Sequence, residues 1–172
     1  MNKKSLILDY IVTFFLSFAL LLASFLTTKN ISANNARKEL SYYGEEVSKT
    51  YRSETDKDVT ISCFSKIQDI RISIFDLDAN VLLEINQLDK NPVKEDRKKE
   101  LESHADSYYY KDSLTMGYSV LYFVKKTSVY YIRVGLPRSN VEEAANLLLL
   151  YGSIALVALD SLYFVYRYFT YS

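Results

Sequence analysis

Two long apolar runs, one near each end of the chain, constrain its fold more than any other feature. From Leu6 to Leu26 the sequence reads LILDYIVTFFLSFALLLASFL, with Asp9 its one charged residue. From Leu147 to Tyr166 it reads LLLLYGSIALVALDSLYFVY, with Asp160 its one charge. At ~1.5 Å of rise per residue each run makes a helix roughly 30 Å long, the thickness of a bilayer's hydrocarbon core. Helices in soluble cores seldom stay apolar over that length. The mean hydropathy of -0.07 hides this, because the segment between the runs is strongly polar.

The first run competes with a cleaved signal peptide. Such a peptide has an apolar core of ~7–15 residues followed by a small-residue cleavage site. Here Tyr10 to Leu26 is already longer, and Lys29-Asn30 follow without an A-x-A site, so an uncleaved anchor is expected. Short flanks set orientation, since long loops translocate largely regardless of charge. Lys3 and Lys4 precede the first run and Arg167 closes the second. The expected layout is therefore a cytoplasmic N-terminus (1–5), transmembrane helix one (6–27), an extracytoplasmic domain (28–143), transmembrane helix two (144–167) and a cytoplasmic stub (168–172). This places the chain in the plasma membrane as a two-pass protein with both termini cytoplasmic. Tyr163, Tyr166 and Tyr168 suit an interfacial aromatic belt.

Composition closes off several functions. Lys+Arg and Asp+Glu both number 21, so charge gives no argument for nucleic acid as a partner. One cysteine excludes an internal disulfide framework and a Cys-based zinc site, and one histidine excludes a His-rich metal site. Four glycines in 172 residues leave no Gly-rich phosphate loop. Asp76-x-Asp78-x-Asn80 opens like an EF-hand loop, but Val81 and Gln87 stand where glycine and glutamate are required. It reads as a hairpin turn. His104 lacks a second histidine or a nucleophile beside it, and Cys63 reads as unpaired outside, as a small buried hydrophobe, or as an intermolecular link. No metal, cofactor or catalytic constellation is expected.

Between the runs the pattern is α+β. Ala33, Ala36, Leu40, Tyr43, Val47 and Tyr51 recur at helical spacing as one narrow stripe. That stripe either pairs with a second copy or packs on its own domain. Asp56, Lys57 and Asp58 interrupt the helix, and Ile61, Phe64, Ile67 and Ile70 fit a further helix face. Residues 71–76 and 81–85 read as a hairpin, with Asn80 free to take the left-handed conformation. Asn91-Pro92 marks the start of a very polar surface helix ending near His104. Residues 107–112, 114–125 and 128–136 read as three more strands, and Tyr130, Ile132, Val134 and Leu136 share one face of the last. Pro137 ends it, and Ser139-x-x-Glu142 reads as a capping box opening a helix that continues unbroken into the second apolar run. The last strand is thus mechanically joined to the exit helix.

Ionisable groups inside an apolar run are functional candidates by default. Asp9 lies about one turn inside the first run. Asp160 and Arg167 lie seven apart on one helix face. Asp160 is expected either to snorkel or to make an interhelical contact to Tyr or Ser side chains or near a pairing axis, so Asp160→Leu should alter helix association.

The stretch Arg71-Ile-Ser-Ile-Phe-Asp-Leu-Asp-Ala-Asn-Val-Leu resembles the hairpin of extracellular PAS-like (single Cache) sensor domains. It is most similar to that of phosphate-regulon (PhoR-type) sensor histidine kinases of Gram-positive bacteria. Arg97 to Leu101 followed by Tyr110-Lys-Asp-Ser-Leu, and Tyr130-Tyr-Ile-Arg-Val-Gly-Leu-Pro, resemble two further runs of that family. Ala79 stands where glycine is usual and Lys111 where arginine is usual. The resemblance implies a PAS-like domain, with a long N-terminal helix and about five antiparallel strands, between two transmembrane helices. It also implies a homodimer in the lipid bilayer with a kinase half after the second helix. No phosphoacceptor or ATP-binding box is present, so this chain is expected not to be an enzyme by itself. It reads as a fragment, a truncated product, or a stand-alone sensor working through a kinase or other membrane partner.

The expected function is a receptor input module of a two-component system that passes an extracytoplasmic small-molecule or protein signal to the second transmembrane helix. Its candidate ligand contacts are Arg71, Tyr110, Lys111, Tyr122 and Arg133. The rival is a non-sensing regulatory or structural membrane subunit that uses the domain for protein contact.

Overall fold

The computed structural model describes residues 3–67, 69–86, 94–112 and 118–171. Helix α1 (Lys3–Thr50) runs unbroken through the first apolar run and the stripe after it. A 3-10 turn (Glu54–Asp56) and a short helix α2 (Lys57–Phe64) follow. Next come strands β1 (Arg71–Asp76) and β2 (Val81–Ile85), helix α3 (Lys94–Ser103), strands β3 (Ser107–Asp112), β4 (Ser119–Lys126) and β5 (Tyr130–Pro137), and helix α4 (Arg138–Tyr171). The chain divides into two compact units. One comprises the residues up to Ser32 with those from Glu142, and the other Ala33–Val141.

In the unit Ala33–Val141 all five strands pair antiparallel in the order β2-β1-β5-β4-β3, which puts β5 at the centre. Strand periodicity sends alternate residues to opposite faces. Ile72 and Ile74 of β1, Leu121 and Phe123 of β4, and Ile132, Val134 and Leu136 of β5 form one apolar face. Ala36, Leu40 and Val47 of α1, with Tyr51 just past its end and Phe64 of α2, pack against it. The narrow stripe therefore packs on its own sheet, and the pairing with a second copy that it first suggested loses that support. Helix α2 is shorter than the spacing predicts. Phe64 is buried, but Ile61 is 39% exposed, and Ile67 and Ile70 lie beyond the helix end.

The opposite face is mixed. Phe75, Ala79, Leu101, Val124 and Tyr131 form a second, smaller apolar cluster, and Arg71, Ser73, Tyr122 and Arg133 lie buried on the same alternation. Helix α3 covers part of this face through Arg97 and Leu101, the latter fully buried. The expectation of a wholly superficial polar helix is corrected here: one apolar residue and its helical neighbours turn inward. Its expected Asn91-Pro92 start lies outside the described residues, as does the Leu114 start expected for β4.

Two local expectations are also corrected. In the β1–β2 turn the left-handed residue is Ala79 (φ 62°), not Asn80. That conformation costs an alanine about 1–2 kcal/mol. It is held by Ala79 N–H donating to the Asp76 carbonyl at 3.0 Å, while the Asp76 carboxylate accepts from Asp78 N–H, Asn80 N–H and the Asn80 side-chain amide. The Asp76-x-Asp78-x-Asn80 run thus forms the hairpin turn expected of it. At the second junction, α4 starts at Arg138 directly after β5, and Ser139 Oγ contacts Asn140 Oδ1 at 3.1 Å rather than forming the anticipated capping box.

In the other unit, α1 and α4 are long and apolar enough to cross a membrane. They run antiparallel: Asp9 meets Arg167 at 2.6 Å near one end and Lys29 meets Glu142 at 3.2 Å near the other. The most apolar window of α1 is 0% buried and that of α4 is 6% buried, so neither is the enclosed helix of a water-soluble core.

Candidate functional site

The polar side of the sheet gathers four of the five strand residues singled out from sequence. Arg71 begins β1, Lys111 lies on β3, Tyr122 on β4 and Arg133 on β5. Tyr110 does not join them. It alternates to the other side of β3, where the Arg138 guanidinium lies 5.5 Å from its ring centre. Its neighbour Tyr109 takes the inward position.

Glu100 of α3 is the hub. Its Oε1 accepts from Arg133 Nη1 at 3.1 Å and from the Tyr109 hydroxyl at 2.5 Å, and its Oε2 accepts from Lys111 Nζ. A second carboxylate, Glu84 of β2, accepts from Arg71 Nη2 at 2.7 Å and from Ser73 Oγ at 3.1 Å. Register explains the second group, because Ser73 and Glu84 are direct cross-strand partners. Arg97 of α3 donates from Nη1 to the Ala79 carbonyl at 2.9 Å, which fastens the helix to the β1–β2 turn.

Aromatic rings floor this layer. The Arg133 guanidinium lies 5.1 Å from the Phe75 ring centre and 4.9 Å from that of Tyr122, within cation–π range. Tyr122 stacks on Tyr109 at 5.4 Å, and Tyr109 on His104 at 4.1 Å. Gly135 makes this possible. It sits between Arg71 and Tyr122 in the sheet register, and a Cβ there would lie 2.4 Å from Tyr122 Cε1. With no side chain on β5, the Tyr122 ring crosses the strand and its hydroxyl accepts from Arg71 Nη1 at 3.4 Å.

The charges are set by these contacts. Burial opposes ionisation of Glu100, but the Lys111 and Tyr109 hydrogen bonds and the charge of Arg133 hold its carboxyl below the usual range. Burial pushes the Tyr109 phenol far up, only partly offset by Arg133. Burial also works against the Arg71 charge, yet its bond to Glu84 keeps it above normal. Arg97 is lowered, first by burial and then by the nearby Arg133. The result is a layer of guanidinium, phenol and carboxylate groups bridging α3 to β5, β4 and β3. Among the described residues no group of three or more His, Cys, Asp or Glu is placed to hold a metal.

Glu100, Glu84, Arg97 and Tyr109 are not among the ligand contacts expected from sequence, although Arg97 and Glu100 lie in one of the runs that carry the resemblance. A signal for the α3 residues existed: Arg97, Glu100, Leu101 and His104 fall at helical i, i+3, i+4, i+7 spacing around the helix's one leucine. Glu84, a lone acid inside an apolar strand, was a second.

In the unit formed by the chain's two ends, Asp9 accepts from Arg167 Nη2 at 2.6 Å and from the Tyr163 hydroxyl at 3.4 Å. Asp160 is 6% exposed, and its Oδ2 has no hydrogen-bond partner among the described residues. Asp160 therefore does not make the anticipated tyrosine contact; Asp9 does. Cys63 is exposed and free.

No protein-family model and no curated protein matches this chain in sequence.

Proposed function

We propose that this chain is the input module of a membrane receptor, with α1 and α4 crossing the bilayer and the β-sheet domain outside the cell. The observation that carries this reading is the placement of Arg133. It lies on the central strand, is tied to Glu100 of α3, and its strand runs without a break into α4. A displacement of α3 or of the polar layer is then transmitted to α4 as a rotation or piston. The exposed apolar flanks of α1 and α4 support the membrane placement, since water-exposed apolar patches of that extent are rare on soluble proteins. The long N-terminal helix and the five antiparallel strands are what the resemblance to PAS-like two-component sensors implies, and they support this reading. In that reading the module acts in a homodimer, signals to a kinase partner and performs no catalysis itself.

The test is a fusion of the full chain to a histidine kinase half. Glu100→Gln and Arg133→Ala should each shift the kinase set-point by about 5-fold or more, the low end of allosteric couplings. An unchanged set-point at normal membrane levels contradicts the reading.

One observation favours a second reading. The two most buried guanidiniums already meet carboxylates of the domain itself, Arg71 with Glu84 and Arg133 with Glu100. A regulatory membrane subunit that makes protein contacts and senses no small molecule fits that pairing, and in it both variants would leave the set-point unmoved.

A further inference from the structure

The two apolar helices enclose a groove of about 290 Å³. Ser17 and Leu21 of α1 and Gly152, Ala155 and Asp160 of α4 line it. Its small residues let a third backbone approach closely, the usual means by which helices associate in lipid. Gly152 marks how near α1 and α4 already come, since a Cβ there would lie 2.4 Å from Leu21 Cδ1. Asp160 is different in kind. It is more than nine-tenths buried, it lines this groove, and one carboxyl oxygen is unpartnered among the described residues. Acidic groups at such a depth are expensive and persist where something pairs with them.

Among the described residues, the cations that flank the two apolar runs, Lys29 and Arg167, are engaged elsewhere. Arg167 meets Asp9, and Lys29 meets Glu142. A second copy does not supply the missing charge. It would share the membrane orientation, so its Arg167 would lie seven residues, roughly 10 Å, along the axis from Asp160. Its Lys29 would lie near the opposite end. Of the ionisable groups within or closing the two apolar runs, Asp9 and Arg167 pair with each other and the Asp160 carboxyl is left over.

We propose that this groove is the docking site for a transmembrane helix of a partner protein carrying one lysine or arginine at the depth of Asp160. The proposal rests on the membrane reading above. The partner's cation enters between α1 and α4 and pairs with Asp160, while Gly152, Ala155 and Ser17 admit its backbone.

The test uses the full chain in phosphatidylcholine vesicles, labelled at Cys63, its single cysteine. The probe is a synthetic Leu/Ala helix with one lysine at the depth of Asp160, compared with the same helix bearing leucine there. Energy transfer should show the lysine helix associating at least tenfold more tightly. Asp160→Asn should erase that preference and Asp160→Glu retain it, with helix content by circular dichroism unchanged in both. Equal association of the two helices, or a preference surviving Asp160→Asn, overturns the proposal. So does copy-to-copy transfer without peptide that is lost in Asp160→Asn, which would make a second copy the occupant. Flotation keeps the two ideas apart. A chain that fails to float with the vesicles contradicts the membrane reading, whereas one that floats without lysine preference contradicts only the docking site.

Discussion

Arg133 Nη1 donates to Glu100 Oε1 at 3.1 Å, joining the centre of the sheet to α3, which covers part of its polar face. The Arg133 side chain is 1% exposed and that of Glu100 is 14% exposed. Removing Arg133 takes one charge-assisted hydrogen bond from Glu100 and leaves the bonds from Lys111 and Tyr109 in place. Arg133→Ala should destabilise the domain by about 1.5–3 kcal/mol, the range for a lost hydrogen bond to a charged group. Arg133→Met with Glu100→Gln should recover most of that loss. Thermal unfolding of the full chain in micelles checks both, and a double variant no more stable than the single one would contradict the pairing.

The same contact fixes a pH dependence. The Glu100 carboxyl is held below its ordinary value of 4.5 in the folded domain. A group depressed on folding contributes stability that is fully present above its unfolded value and is lost as pH falls through the folded one. Stability should therefore fall below about pH 4.5 more steeply in the native chain than in Glu100→Gln. Asp56 is depressed too, through hydrogen bonds from the Arg52 and Ser53 backbone, and contributes equally to both proteins. The difference between the two curves thus isolates Glu100, and superimposable acid profiles would contradict its ionised, bridged state.

Gly135 and Gly152 should respond differently to the same substitution, although a Cβ at each would meet a carbon at 2.4 Å. At Gly135 that carbon belongs to the Tyr122 ring, 4% exposed and wedged against Tyr109 and Arg133. At Gly152 it is the terminal methyl of Leu21, which can rotate away. Gly135→Ala should cost about 1–3 kcal/mol by forcing strained packing, and Tyr122→Ala should suppress much of that added cost. Gly152→Ala should be close to neutral. Melting temperatures of the native chain, the three single variants and the Gly135→Ala/Tyr122→Ala double variant in one detergent measure both.

The order of elements was legible because period-two and period-3.6 hydrophobicity are local signals. The strands at 71–76, 81–85 and 107–112, the polar helix ending near His104 and the uninterrupted exit helix all follow from them. Sequence also placed Arg71, Lys111, Tyr122 and Arg133 on strands, but not the carboxylates that receive them. Glu100 reaches the sheet only because Leu101 anchors α3, a tertiary contact that a mostly charged helix scarcely signals. Tyr110 falls on the face away from the polar layer, and three consecutive tyrosines hide which phase of the alternation points there. The left-handed residue fell on Ala79 because Asp76 uses its carboxylate to hold Asn80, leaving the turn's strain one position earlier.

The central claim is that the sheet domain lies outside a membrane crossed by α1 and α4. Cys63 tests it most directly, being exposed and the chain's single cysteine. In intact cells a membrane-impermeant maleimide should modify Cys63, while a Cys63→Ser chain carrying Thr170→Cys should react only after permeabilisation. Protection of Cys63 in intact cells, with labelling at position 170, would contradict the account.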